Sequence, residues 1–480
     1  MIVKTPVYLR GDGNSKIGLG HVHRLIALSE ILQNDFDCTF IMRSPLPGVR
    51  ELIRKASIPL LEIDENIPFQ KEPEALLKWF SGNEIIVLDG YPFNTDYQSA
   101  LKKKNSRLVC IDDVHQFHFV SDVVINPAGG IDSQAYSCEL TTRLLIGPSF
   151  ALLKRPFKKR TKKRPDQSEN KLLICMGGAD PKDITFSTLK EGLKFKFSAF
   201  IVIIGEAYPN KILLAELIKE SGKNVKIFQN LSPVEMAEIM EKCPVAITSA
   251  SGIAYEYLSV GGELYVKQTA DNQQDLFNYL IKSQLAFPAY EFRVDNERVQ
   301  LSKNKQGKVF DGASDERLLK IFHGLEISLK ILVRKCEERD LLTLYAWAND
   351  PEQRSQSFST AQISLHDHTT WFLKKFSDPK CLLYIFEYNE QPMAQVRFDI
   401  KNEAVISYSL APEYRGRGLG QIVLAQSMKQ FITEHKTPIT IVGFVKMKNI
   451  SSMRIFENLG FSKKNTSDYP DSYRFEYPIL

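Results

Sequence analysis

Arg10-Gly-Asp-Gly-Asn-Ser-Lys-Ile-Gly-Leu-Gly-His-Val-His-Arg24 is the stretch that sets the fold of the larger half of this chain. Val7, Tyr8 and Leu9 before it read as the end of a buried strand, and Val22, Leu25, Leu28 and Leu32 after it recur at helical spacing. Between them lies a turn containing Gly11, Gly13, Gly18 and Gly20. A strand, a glycine loop and a helix start form a corner where backbone amides converge and the helix dipole favours negative charge. His21 falls at the start of that helix, where the dipole disfavours an imidazolium. A neutral ring beside a bound phosphate ester is a candidate general base. A glycine turn with a structural histidine cap is the alternative that these residues alone leave open.

Two phosphate loops are excluded at once. A dinucleotide fingerprint needs a third glycine where His23 stands, and a Walker A loop needs Gly-Lys-Ser/Thr, which is absent. His21 and His23, two apart on a helix, point to different sides and make a poor metal pair. His115 with His118, and His366 with His368, read as solvent-facing or capping residues, so no metal is expected.

Outward from this corner, residues 1–150 alternate short apolar runs with helix-length segments. The runs are Val7–Arg10, Thr39–Arg43, Ile85–Leu88, Leu108–Ile111 and Val123–Ile125, the pattern of a parallel α/β sheet. Several end in polar residues: Asp89-Gly90-Tyr91, Asp112-Asp113 and Asn126-Pro127. Ligands of open α/β sheets bind at the carboxyl ends of strands, which makes Tyr91, Asp112 and Asp113 candidate substrate contacts. A turn cap is the alternative for the aspartate pair.

The corner resembles the N-terminal motif of the UDP-sugar hydrolases of pseudaminic acid biosynthesis, Arg-x-Asp-x-Ser-x-x-Ile-Gly-x-Gly-His-x-x-Arg. Arg10, Asp12, Ile17, Gly18, Gly20, His21 and Arg24 match, while Asn14 stands where that family usually has serine. The resemblance implies that His21 activates water, that Asp12 orients His21 or binds the sugar, and that Arg10 and Arg24 contact the UDP-sugar. Ile146-Gly-Pro-Ser-Phe-Ala-Leu-Leu153 is similar to another segment of the family, with Phe150 in place of tyrosine; Gly90 replaces a frequent serine.

The basic run Lys158–Pro165 reads as a solvated linker, since it lacks interleaved aromatics. A second alternating unit follows, with all-apolar runs at Leu172–Met176 and Phe200–Ile204. Met176-Gly177-Gly178-Ala179-Asp180-Pro181 and Thr248-Ser249-Ala250-Ser251-Gly252-Ile253 again put small residues after a strand, suited to a diphosphate. Glu256 on the next helix could accept hydrogen bonds from ribose hydroxyls, or be an ordinary first-turn acid. Asn272 and Gln273 offer amides near the same crevice. These motifs are similar to the C-terminal lobe of the hydrolase family, whose fold resembles the GT-B glycosyltransferase architecture. The resemblance implies UDP-sugar contacts at Gly177, Gly178, Asp180, Ser251, Gly252, Glu256, Asn272 and Gln273.

Ser314–Gly324 reads as a capped helix ending at a glycine, with a domain boundary near 326. The pattern then changes to a strand from Leu329, helices over Glu337–Ala348 and His366–Phe376, and strands over Leu382–Tyr388, Met393–Asp399 and Ala404–Leu410. Arg415-Gly-Arg-Gly-Leu-Gly420 leads into a helix over Gln421–His435, so glycine amides, a helix N-terminus and two arginines converge. This segment is similar to the acetyl-CoA pyrophosphate loop of the GCN5-related N-acetyltransferases (GNAT), and Asn449–Phe461 to their closing element. The resemblance implies acetyl-CoA contacts at Ser409, Leu410, Arg415, Gly416, Arg417, Gly418, Leu419, Gly420 and Asn449. A tyrosine of that family is replaced by Phe456, which leaves Tyr408, Ser451 and Ser452 as unranked proton donors.

The expected architecture is therefore α/β: a two-lobed GT-B-like module of two Rossmann-like parallel-sheet lobes (1–155 and 166–326), followed by an α+β GNAT domain (328–480). The expected function is a bifunctional nucleotide-sugar enzyme: acetyl-CoA acetylates a UDP-linked 4-amino sugar, and UDP-2,4-diacetamido-2,4,6-trideoxy-β-L-altropyranose is then hydrolysed with inversion. The alternatives are a glycosyltransferase using a UDP-sugar, and an accessory or degenerate CoA-binding domain. A net charge of +5 on 480 residues is too slight to argue for nucleic acid. No apolar run spans a bilayer, and the start of the sequence lacks a signal-peptide core, so no membrane partner is expected. Seven cysteines without a Cys-x-x-Cys pair point to reduced thiols and a cytoplasmic protein.

Overall fold

The alternation along the first 150 residues folds as seven parallel strands in the computed structural model, which describes residues 4–14, 17–139, 141–158, 170–177, 180–205, 208–292 and 296–479. These are β1 (Thr5–Gly11), β2 (Phe36–Arg43), β3 (Leu60–Ile63), β4 (Ile85–Asp89), β5 (Arg107–Ile111), β6 (Val123–Asn126) and β7 (Arg143–Ile146). Their order is β3-β2-β1-β4-β5-β6-β7. Every residue of β4 is buried, as expected of a strand covered on both faces. Helix α1 (Gly20–Leu32) makes the first crossover, and Val22, Leu25 and Leu28 pack without exposure. The chain runs outward from β1 to β3 and returns to β4 on the other side of β1. The order therefore reverses between β1 and β4, where open α/β sheets form their ligand crevice.

The second lobe repeats the plan with β8 (Lys171–Cys175), β9 (Ala199–Ile204), β10 (Val225–Gln229), β11 (Val245–Ser249), β12 (Glu263–Lys267) and β13 (Phe287–Pro288). The order is β10-β9-β8-β11-β12-β13, all parallel, and reverses between β8 and β11. Ala151, Leu153 and Phe157 are buried in this lobe's core, so the chain joins it before the expected limit at 155. The basic residues 159–165 lie outside the described residues. The lobes touch at Tyr255, whose hydroxyl donates to the Pro127 carbonyl (2.8 Å) and accepts from the Gly129 amide (3.2 Å). A Cβ on Gly129 would lie 2.3 Å from the Tyr279 ring, so only glycine allows this approach.

The chain divides into two compact units, residues 1–138 with 142–319, and residues 139–141 with 320–480. The boundary expected near 326 falls inside one helix, Ser314–Leu329, and the strand expected from Leu329 begins only at Leu332. Leu318, Phe322, Leu325 and Leu329 are all buried, so the apolar helical period runs straight past Gly324.

The second unit is a mixed sheet of β14 (Leu332–Lys335), β15 (Cys381–Tyr388), β16 (Gln391–Ile400), β17 (Ala404–Leu410), β18 (Ile439–Lys446), β19 (Ser462–Asn465) and β20 (Ser472–Ile479). The order is β14-β15-β16-β17-β18-β20-β19, and only β17 and β18 are parallel. A parallel pair needs a crossover, supplied by a helix over Leu419–Glu434 whose Phe431 stacks on Phe398 at 4.4 Å. β17 pairs with β18 only over Ala404–Ile406, so the two strands part before Tyr408. All seven cysteines are free thiols. Among the described residues no helix is long and apolar enough to cross a membrane, and no group of three or more His, Cys, Asp or Glu is placed to hold a metal.

Candidate functional site

At the reversal point of the first lobe, β1 leads through the glycine turn into α1, and β4 ends beside it at Asp89. Asp89 is fully buried and its carboxylate lies 2.7 Å from His21 Nδ1. A carboxylate only accepts, so the shorter Asp89 contact favours the tautomer with the proton on Nδ1 and the lone pair on Nε2, although Arg24 Nη2 also lies 2.9 Å from Nδ1. Among the described residues nothing hydrogen-bonds Nε2. Arg24, one turn along α1, donates to both oxygens of Asp89 (2.6 and 3.0 Å) and to Asp113 (2.6 and 2.7 Å). The two carboxylates hold its guanidinium charged well above the ordinary arginine range. Arg24 in turn supplies the countercharge without which a buried Asp89 would be very costly. Tyr91 sets the edge of its ring against His21, with centroids 5.1 Å apart. Asp113, Arg24 and Asp89 form a chain of contacts that ends on the His21 ring and fixes its orientation.

Several expected contacts are placed differently. Asp12 does not reach His21; it forms a paired contact with Arg10 (2.6 and 2.8 Å) and accepts from the Arg43 amide. Arg10 is wholly buried, held by Asp12 and by Glu72 (2.7 Å) with its guanidinium over the Phe93 ring, so it braces the corner instead of facing a ligand. Arg24 is likewise committed to two aspartates. Asp89 is the partner the motif did not single out, although its place at the end of an apolar strand marked it. Glu72 had no such signal: Lys71-Glu-Pro-Glu74 reads as a solvated charged turn. Gly18 takes a left-handed φ of 77°, and Gly20 opens α1, with open space at both Cβ positions. Ser15 and Lys16 lie outside the described residues.

Among the described residues Asp113 pairs only with Arg24. Asp112 is partly the turn cap that the sequence allowed: Oδ2 accepts from the amides of Val114 and His115 and from the Tyr136 hydroxyl. Oδ1 accepts nothing among the described residues.

In the second lobe the reversal point is lined by Gly177 and the Ser249–Ser251 turn. A Cβ on Gly177 would sit 3.9 Å from Ser249 Oγ, and Ser249 and Ser251 share a hydrogen bond of 2.9 Å. Ser251 and Gly252 open helix α2 (Gly252–Val260), whose first amides have no side-chain cap. Glu256 on α2 is half-buried, and among the described residues nothing hydrogen-bonds its carboxylate. Burial pushes its pKa up to about 7, with the Lys154 charge pulling the other way. Asp180 departs from expectation: its oxygens accept from the Ile184 and Thr185 amides (2.9 and 2.7 Å), so it caps the next helix and faces no ligand. Gln273 uses its carbonyl oxygen on Thr269. Gly178 and the side chain of Asn272 lie outside the described residues.

In the second unit, Gly416 and Gly418 adopt left-handed φ values of 75° and 80°, with open space around Gly416. Helix α3 (Leu419–Glu434) begins directly at Leu419 with no side-chain cap, so its first amides are free to meet an anion. The cradle fits a pyrophosphate. A Cβ on Gly420 would come 2.8 Å from Ile455, which locks α3 against helix α4 (Ile450–Asn458). Arg417 lies over the Tyr414 ring. Arg415 is not the free cation that was expected: it bridges Asp350 (2.6 Å) and Glu352 (3.0 Å) and donates to the Leu410 carbonyl. Ser409 is buried beside Gln395, and Asn449 caps α4 through the Ser452 amide. Phe456 is core, against Phe461 and Phe475. Where β17 and β18 part, the Tyr408 and Ser452 hydroxyls are 2.8 Å apart, which ranks these two above Ser451.

The helix starts at Gly20, Gly252 and Leu419 have no side-chain cap, and all three follow glycine- or serine-rich turns. Some helices carry ordinary caps, such as Asn94 before Thr95–Leu101 and Ser364 before Leu365–Phe376, while others, such as Pro47–Lys55 and Lys211–Ser221, have no side-chain cap either.

Residues 330–462 match the family model of the acetyltransferase (GNAT) domain. An uncharacterized protein of Methanocaldococcus jannaschii is 23% identical over 94% of this chain and 96% of its own length. The UDP-2,4-diacetamido-2,4,6-trideoxy-beta-L-altropyranose hydrolase of Campylobacter jejuni is 24% identical over 58% of this chain and 96% of its own. Among solved structures, a spermidine N-acetyltransferase from Vibrio cholerae in complex with CoA and spermine aligns with 31% of this chain and 95% of that one, at 18% identity and a TM-score of 0.29.

Proposed function

We propose that the chain processes a UDP-linked amino sugar in two steps. The GNAT domain acetylates the 4-amine from acetyl-CoA, and the two-lobed unit then hydrolyses UDP-2,4-diacetamido-2,4,6-trideoxy-β-L-altropyranose to UDP and the free 2,4-diacetamido sugar. The similarity to the Campylobacter hydrolase and the GNAT match support the pairing. One observation carries the hydrolytic step: the Nδ1 of His21 is held by Asp89 at the crevice end of the sheet, while Nε2 has no hydrogen-bond partner among the described residues.

In that step Nε2 takes a proton from water as the water oxygen bonds to the anomeric carbon. The bond from that carbon to the UDP oxygen breaks on the opposite face, so the configuration inverts. Asp89 holds the ring and stabilises the imidazolium as it forms. UDP is a good leaving group, so no second carboxylic acid has to protonate it, unlike in ordinary glycosidases. The uncapped amides at Gly20 and Gly252 bind its phosphates, and Glu256 as carboxylate accepts from the ribose hydroxyls.

In the acetylation step the amine nitrogen attacks the thioester carbon and loses a proton to solvent. Strand amides around Ser409 and Leu410 polarise the carbonyl, and the Tyr408–Ser452 pair returns a proton to the departing thiolate. Both co-substrates belong to the cytoplasm, where the free thiols are stable. Mass spectrometry of the products formed from the UDP-4-amino sugar, with and without acetyl-CoA, tests the reading. UDP and an acetylated free sugar are expected only when acetyl-CoA is present; free UDP together with the sugar linked to an added acceptor would make the unit a glycosyltransferase.

A further inference from the structure

Beside the His21–Asp89 pair, the carboxyl ends of β4 and β5 enclose a small pocket that opens to solvent. Leu88, Phe93, Cys110 and Phe119 form buried walls, and Tyr91 and Phe117 stand at the opening. Tyr91 is shared with the base, since its ring meets His21 edge-on at 5.1 Å. Gly90 keeps the pocket in shape, because a Cβ there would press to 3.0 Å from the Phe93 ring.

The one charged group on the lining is Asp112. Its Oδ2 already accepts three hydrogen bonds, from Val114, His115 and Tyr136, and Oδ1 accepts none among the described residues. The pocket thus offers one fixed acceptor above aromatic and aliphatic walls. The group that fits has a single N–H donor joined to a small apolar end. A hydroxyl satisfies Oδ1 and leaves the pocket unfilled. An ammonium pairs with Oδ1 but turns its other N–H bonds toward apolar walls, where they stay unsatisfied. An amide bearing a methyl group satisfies both features.

Resting on the proposed hydrolysis, we infer that this pocket holds the acetamido group on C2 of the sugar, with its N–H on Asp112 Oδ1 and its methyl among Phe93, Phe117 and Phe119. C2 is the ring carbon next to the anomeric centre that His21 addresses, so its substituent is the one that reaches past Tyr91. Asp112 is a specificity residue on this reading, and water activation is left to His21.

The test compares UDP release from the diacetamido UDP-sugar and from analogues carrying a formamido or a hydroxyl group at C2. It uses the whole protein and its Val114→Phe variant, which puts a ring at the half-buried rim. Transfer of saturation from protein protons to the N-acetyl methyl of the bound UDP-sugar is read in parallel. The wild type should lose about fourfold in kcat/KM with the formamido analogue, one buried methyl, and at least about tenfold with the hydroxyl analogue. Val114→Phe should bring the acetamido-to-hydroxyl ratio close to one and abolish the methyl signal. Equal turnover of all three substrates by the wild type overturns the pocket assignment while leaving the hydrolase reading in place. Absence of UDP release with a strong methyl signal that Val114→Phe removes does the reverse. A methyl signal unchanged in the variant also overturns the assignment.

Discussion

The two lobes of the first unit share a strand order and differ in what stands where that order reverses. In the first lobe the reversal point is crowded with charge: Asp89, Arg24 and Asp113 form one ion-paired chain ending on His21. In the second it holds Gly177, Ser249 and Ser251, with a carboxylate, Glu256, that has no hydrogen-bond partner among the described residues. The same topology thus provides a rigid, pre-oriented ring on one side and an open cradle of amides and hydroxyls on the other. The lesson is that the sheet order says where a ligand sits, and the side chains at that point divide the labour. On the proposed reading the first lobe carries the chemistry and the second holds the nucleotide.

The sharpest way to break this division is His21→Ala, which should lower UDP release about a thousandfold with little change in UDP affinity. Unchanged release would move the chemistry out of the first lobe. Asp89→Asn comes next. It keeps the shape but can present N–H to Nδ1 and fix the wrong tautomer, so kcat should fall about a hundredfold or more at nearly constant KM. Equal losses from Asp12→Asn would contradict the geometry, in which Asp12 touches Arg10 and not the ring.

Glu256→Gln probes the other side. UDP should bind about tenfold more weakly, with kcat for bound substrate nearly kept. The carboxyl pKa is raised to about 7, so wild-type UDP affinity should increase as pH rises from 6 to 8, and the variant should lose that dependence. The folded state keeps a proton that the unfolded chain releases above pH 4.5. Wild-type stability therefore declines as pH climbs from 4.5 toward 7, and pH-dependent thermal melting of the variant should lack that decline.

The smallest effect concerns His23 on α1. Burial, helped by the Lys154 charge, lowers its pKa to about 4, and its Nδ1 is buried without a hydrogen-bond partner. Between pH 6.5 and 4 the unfolded chain takes up a proton that the folded one refuses. The stability contributed at neutral pH is therefore lost as pH falls through that window, by up to about 3 kcal/mol. Denaturant melts at pH 7 and pH 5 should show this difference reduced in His23→Gln.

Much of the fold is legible in the residues because each strand is short, apolar on both faces and bounded by turn residues. Ile85–Leu88 and Leu172–Met176 therefore fall within about a residue of their strands. The edge strand Leu60–Ile63 is half-exposed and leaves no comparable run. The helix over Ser314–Leu329 overruns its expected end because a glycine inside a well-packed apolar period costs less than breaking the packing. At the site, the glycines and His21 carry a local signal. Which carboxylate meets the ring does not: Asp12 is near His21 in sequence, but Asp89, 68 residues away, is the one brought to it.

The sequence by itself determined the alternation of strands and helices, the glycine corners, and the change of pattern into the GNAT domain, because periodicity and turn chemistry are local properties of the chain. Tertiary structure alone decided that Arg10 and Arg24 are braces, that Asp180 is a cap, that Arg415 is tied to Asp350 and Glu352, and that Asp89 governs His21. Charged side chains choose partners by distance and burial. Both are set by which strands lie side by side, and no spacing along the chain records that.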